Sequence, residues 1–194
     1  MSSYPIEQHP LGFFLPDNTR LLMLGSFPPP RPRWSMNFYY PNIQNDMWRI
    51  LGLLFYADKD HFLASRKAFS EEKAQAFCRE KGIGIGDTAV EIIRLNGNAS
   101  DKFLEIVTPI RPEEILSQIP ACRAIVVTGQ KALDTLLSVL PPMQAPKVGS
   151  FEEFTLIDRR FKLFRMPSSS RAYPRPLEEK AAVYRGMFEQ LGML

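Results

Sequence analysis

Two short stretches concentrate the side chains that could do chemistry. Gly25-Ser26-Phe27-Pro28 runs on through Pro29 and Pro30 to a pair of arginines, Arg31 and Arg33. Met166-Pro167-Ser168-Ser169-Ser170-Arg171 sets three small hydroxyls beside a cation. Serine hydroxyls and close backbone N–H groups grip phosphate oxygens, and guanidinium groups pair with them. The competing reading is structural: a serine turn ahead of the last helix, and arginines on a solvated surface. Asn45 and Asp46 stand just before an apolar helical run. Asn in that place is ordinarily a helix cap, whereas an ionised Asp is a proton acceptor. No metal is expected, because the only histidines, His9 and His61, belong to no ligand-like cluster. Cys78 and Cys122 lack Cys-x-x-Cys spacing and read as buried free thiols. Gly82-Ile83-Gly84-Ile85-Gly86 is not the Gly-x-Gly-x-x-Gly form after a strand, which argues against a dinucleotide site.

The elements that must position these residues are legible as alternating strands and helices. Leu21–Gly25 is an apolar run entering the Gly/Pro loop, and Ala124–Gly129 is a second, rich in β-branched residues. Phe154–Ile157 and Phe161–Met166 flank Asp158-Arg159-Arg160 as a hairpin. Gly82–Ile85 or Glu105–Val107 supplies a further strand. Met47, Ile50, Leu51, Leu54 and Phe55 share one helical face, with Asn45 or Asp46 as N-cap. Further helices cover Glu71–Lys81, Glu113–Ile119 behind Pro112, the Leu133–Leu140 stripe, and the segment that Pro176 opens. This order predicts an α/β fold, a three-layer αβα sandwich around a mostly parallel four-stranded sheet. Ligands in such sheets bind beyond the carboxyl ends of the strands, so the two loops are expected to converge there.

The chain has 194 residues, 45% of them hydrophobic and 23% charged, which suits one globular domain spanning 1–194. No apolar run reaches the roughly 18 residues of a membrane span, and no secretory signal opens the chain. A cytoplasmic protein without a membrane partner is expected. The net charge of +3 permits an anionic partner without demanding one. Its distribution says more, since Arg159, Arg160, Lys162, Arg165, Arg171 and Arg175 crowd one late segment.

Four segments in order resemble the uracil-DNA glycosylase superfamily. Gly25-Ser26-Phe27-Pro28 resembles its first motif. Tyr39-Tyr40-Pro41-Asn42-Ile43-Gln44-Asn45-Asp46-Met47-Trp48 is similar to the Tyr…Asn-x-x-Trp segment of the mismatch-specific and hypoxanthine branches. Val127-Thr128-Gly129-Gln130-Lys131-Ala132 is similar to their middle strand-to-helix turn. Met166-Pro167-Ser168-Ser169-Ser170 resembles the second motif in its thymine-DNA glycosylase form.

That resemblance implies a DNA glycosylase of base excision repair. Such an enzyme hydrolyses the N-glycosidic bond of a flipped-out uracil or hypoxanthine, in a mismatch or otherwise, in double-stranded DNA. It would work as a monomer, without cofactor. It places Gly25, Ser26, Phe27, Tyr40 and Thr128 around the base, with Phe27 stacking on it. Arg31, Arg33, Ser168, Ser169 and Ser170 would hold DNA, with Arg171, or Tyr173 in competition, wedged into the emptied stack. Asp87 and Thr88 fall near the pocket by the same resemblance. Two positions depart from the pattern. Phe27 stands where mismatch enzymes carry a polar water-orienting residue, so Asn45 is expected to position the water or touch the base, with Asp46 as a substitute. Thr128 stands where the hypoxanthine branch has Asn, which leaves base choice open. The alternative is a glycosylase fold of weak or no activity that binds damaged or single-stranded DNA.

Overall fold

The computed structural model describes residues 4–98 and 100–194. Along the chain run β1 (Ile6–Gln8), β2 (Leu21–Gly25), α1 (Met47–Tyr56), a small hairpin of β3 (Leu63–Ser65) and β4 (Ala68–Phe69), α2 (Glu71–Lys81), β5 (Ile83–Asp87), β6 (Ala89–Arg94), β7 (Leu104–Pro109), α3 (Pro112–Ser117), β8 (Ala124–Thr128), α4 (Gln130–Leu137), β9 (Ser150–Leu156), β10 (Arg159–Met166) and α5 (Leu177–Gln190). The central sheet has the order β5-β2-β8-β10-β9. Four strands are parallel and β9 returns antiparallel along β10. The expected four-stranded sheet is therefore corrected to five. Both arms of the late hairpin are full strands, and the Gly-Ile run joins the sheet as well.

Alternation along the buried strands sorts side chains to two faces. Leu21, Met23, Val126 and Phe164 pack under α1, α2 and α5. Leu22, Leu24, Val127 and Leu163 pack under α3 and α4. Those two cores, one per face, make the three αβα layers. Glu105–Val107, the other candidate strand, lies instead in a second sheet of order β1-β6-β7. That small sheet packs Ala89, Ile92 and Leu104 against Phe27 and walls one side of the site.

Ser70 caps α2 by accepting from the Lys73 N–H at 3.2 Å, and Gly82 ends it in the left-handed conformation (φ 68°). Among the described residues no helix is long and apolar enough to cross a membrane.

Candidate active site

Strand register fixes the floor of the site. Gly25 lies beside Asp87, Leu24 beside Val127, and Met166 beside Thr128, so four parallel strands end in one row. Beyond that row is a cavity of about 560 Å³. Gly25, Ser26, Phe27, Tyr40, Thr128, Arg33, Asn45, Ser168, Ser169, Ser170, Arg171 and Tyr173 all line it. Convergence of the two loops is thus observed.

Phe27 does double duty. It is only 8% exposed and packs on Ala89, Ile92 and Leu104, with the His9 ring edge-on at 5.0 Å. Much of the ring plugs the small core, and the remainder faces the cavity. Gly25 is required by space: a Cβ there would sit 2.6 Å from Oδ1 of Asp87 and 3.5 Å from the Tyr40 hydroxyl. Tyr40 itself has φ 52°, a strained value for a non-glycine residue. Its hydroxyl and that of Thr128 lie 3.2 Å apart. Burial holds the phenol well above its ordinary pKa, so it keeps its proton.

Asn45 serves the helix and faces the cavity at once. Its Oδ1 accepts the Met47 N–H at 2.9 Å, which fixes the amide's orientation. Its nitrogen is then the end with no partner among the described residues. Asp46 departs from expectation. Its carboxylate does not line the cavity; Arg171 Nε donates to Oδ1 at 3.2 Å and buried Lys180 Nζ to Oδ2 at 3.1 Å. With both oxygens paired to cations, Asp46 is an anchor rather than a ready proton acceptor. Arg31 also turns away from the cavity: it donates to Asn37 at 2.9 Å and lies 4.0 Å over the Trp34 ring.

The serine loop is stitched to the start of α1. The Asp46 N–H donates to the Ser169 carbonyl at 2.8 Å, and Lys180 Nζ donates to the Ser170 carbonyl at 2.8 Å. Ser168 Oγ accepts the Ser170 N–H and Ser170 Oγ accepts the Ala172 N–H, both at 3.2 Å. Each hydroxyl is thus used as an acceptor within its own turn while its proton stays available to an incoming phosphate. Arg171 is half-exposed at the rim.

Comparison with protein-family models and with curated proteins gives no match. Among solved structures, the NMR structure of a Methanosarcina acetivorans protein provisionally named a uracil DNA glycosylase matches with a TM-score of 0.57. It shares 23% identity, covering 93% of this chain and 98% of that one.

This is a uracil-DNA glycosylase-like fold.

Within it, the cavity also holds one acid that sequence reasoning missed, Asp101, and one that it expected nearby, Asp87. Asp101 lies on the wall, and Ser26 Oγ donates to its Oδ1 at 2.7 Å. Burial, aided by the charge of Asp87, raises the Asp101 pKa. Asp87 forms the floor and is held by His9 at 2.7 Å. Thr88, expected nearby, is fully buried outside the lining, and its hydroxyl has no partner among the described residues. No local pattern could have joined His9 to Asp87 or Ser26 to Asp101, because the pairs are 78 and 75 positions apart.

Proposed function

We propose that this protein is a DNA glycosylase that hydrolyses the N-glycosidic bond of a deaminated base, uracil or hypoxanthine, extruded from double-stranded DNA. The carrying observation is the convergence of four ordered segments of the chain on one cavity at the carboxyl ends of the sheet, in a uracil-DNA glycosylase-like fold. A base inside a duplex is out of reach, so the enzyme must receive it flipped out, at a cost of a few kcal/mol. The cavity suits one extruded base, with the part of Phe27 that borders it as a wall against the base. Ser168, Ser170 and Arg171 at the rim suit the flanking phosphates.

In the reaction the C1′–N bond breaks with its electron pair leaving on the base, a water oxygen bonds to C1′ and gives up one proton to solvent, and the departing base takes a proton from solvent in exchange. The proposed water-holder is Asn45, whose free amide nitrogen can donate to one lone pair of that water and leave the other for C1′. An amide cannot take the water's proton, so Asn45 acts by position rather than as a base. Arg171, tied at Nε to Asp46, keeps the rest of its guanidinium for the emptied stack.

One observation favours a second reading, a binding protein without turnover: Phe27 occupies the place of a polar residue and is mostly committed to packing. The deciding experiment is a panel of labelled duplexes carrying uracil, hypoxanthine, a thymine mismatch or no lesion, treated with alkali after incubation. Abasic cleavage in the uracil or hypoxanthine lane is expected. Tight lesion binding with every lane uncut would establish the second reading instead.

A further inference from the structure

The floor of the cavity carries a charged group with one end free. Asp87 is 7% exposed, and His9 holds its Oδ2 at 2.7 Å. An ionised carboxylate only accepts, so the hydrogen of this bond sits on His9 Nε2. His9 is itself fixed, with Nδ1 2.8 Å from the Leu11 carbonyl oxygen and 3.1 Å from its N–H, and its ring against Phe27 and Tyr39. The other oxygen, Oδ1, has no donor among the described residues and borders the cavity. It lies 2.6 Å from the point where a side chain on Gly25 would begin, and the Tyr40 hydroxyl lies 3.5 Å from that same point. Thr128 can donate to Tyr40 across 3.2 Å, which frees the phenolic proton to point into the cavity. A fixed acceptor and a donor therefore stand together over Gly25, at the edge of the cavity.

A ring N–H beside a carbonyl complements such a pair. Uracil offers this lactam edge through N3–H and its carbonyls, and hypoxanthine through N1–H and O6. Cytosine and adenine, their amino parents, carry a lone pair on that same ring nitrogen, which a carboxylate repels. We propose that Asp87 and Tyr40 form an acceptor–donor pair that selects lactam bases, with His9 as the positioning residue that decides which face Asp87 presents. The inference rests on the glycosylase reading and sharpens it to a chemical class of base. A built polar site that loses its partner discriminates strongly, because the unmatched group is left desolvated.

The experiment uses D87N and the double variant H9A/D87N. In D87N the His9 N–H donates to the amide oxygen, so the NH2 group replaces Oδ1 and presents a donor where an acceptor stood. The kcat/KM on the better of the uracil and hypoxanthine duplexes should fall by about a hundredfold. Removing His9 lets the amide turn its oxygen to the base, so H9A/D87N should recover at least about tenfold over D87N. A D87N enzyme within about threefold of wild type, or a double variant no better than D87N, overturns the proposal. A second measurement serves if D87N does not fold or if the wild type excises nothing. Wild-type affinity is compared for duplexes carrying 2′-fluoro-2′-deoxyinosine and 2′-fluoro-2′-deoxyadenosine opposite the same base. A preference of at least about tenfold for the inosine duplex is expected, and equal affinity rejects the lactam pair. Absence of excision alongside that preference would fail the glycosylase reading and leave the recognition intact.

Discussion

At the scale of single residues, Asn45 carries two jobs on two ends of one amide. Oδ1 accepts the Met47 N–H at the start of α1, one residue ahead of the N-cap Asp46, and the nitrogen is left for the cavity that Asn45 lines. Substitution by Asp separates them, since a carboxylate keeps the capping oxygen and loses the donor. N45D should melt within a degree or two of wild type and lose turnover by on the order of a hundredfold. N45A should lose turnover similarly and also about 1 kcal/mol of stability. Normal turnover per folded N45D molecule would leave Asn45 as a cap alone. Asp101 yields a different residue-scale prediction, in pH. Its folded pKa is raised, chiefly by burial, so the fold prefers the neutral carboxyl and ionisation costs stability. That cost is present at neutral pH and disappears as pH falls below the range of an unfolded carboxylate. D101N, which keeps an oxygen for Ser26, should therefore raise Tm at pH 7 and lose that advantage in acid. A Tm gain equal at both pH values, or a loss at pH 7, contradicts this account.

At the scale of elements, the loops that line the cavity are held by a buried charge cluster. Lys180 is fully buried on α5 and bridges Asp46 at the start of α1 to the Ser170 carbonyl. K180M would leave Asp46 buried with only half-exposed Arg171 as a counterion, at a cost of about 3 kcal/mol. D46N/K180M, which removes both charges, should recover much of that loss in urea unfolding. A K180M midpoint equal to wild type would mean the cluster holds nothing. The same cluster shows where sequence stops being informative. The stripe Ala181, Tyr184 and Phe188 marks the buried face of α5, but burial of Lys180 depends on an acid 134 positions away. Strands β2 and β8 were legible because both are unbroken apolar runs buried along their whole length. The fifth strand was obscured because β9 is an edge, with exposed and half-buried residues such as Glu152 and Glu153. The cavity-lining loops were legible as local motifs, and Asp87 was expected near the pocket; its tie to His9 was not legible, nor was Asp101, which is joined to the site through Ser26.

At the scale of the whole molecule, the net charge of +3 overstates what DNA would feel in one place and understates it in another. The late basic segment is not one patch. Arg159 turns inward to the carbonyls of Leu116, Ile119 and Cys122 at 2.6–2.9 Å, and Arg165 reaches the Pro146 carbonyl and Gln130. Arg160 is exposed at the other end of β10, six residues and therefore about 20 Å from the cavity floor. Among the described residues, Arg33 and Arg171 line the cavity and Lys59 and Arg175 the adjoining cleft, where Arg49 is tied to the Ile43 and Asn45 carbonyls and Lys180 to Asp46. Each phosphate contact lowers log affinity by about 0.9 per log unit of salt on duplex DNA. Four such cations predict a slope near −3.6, far more than a net charge spread over the surface would give. R33A/R175A should flatten the slope by about 1.8, whereas R160A should leave it unchanged. Equal flattening by R160A would show that the protein feels DNA as a diffuse cation, with no track leading to the cavity.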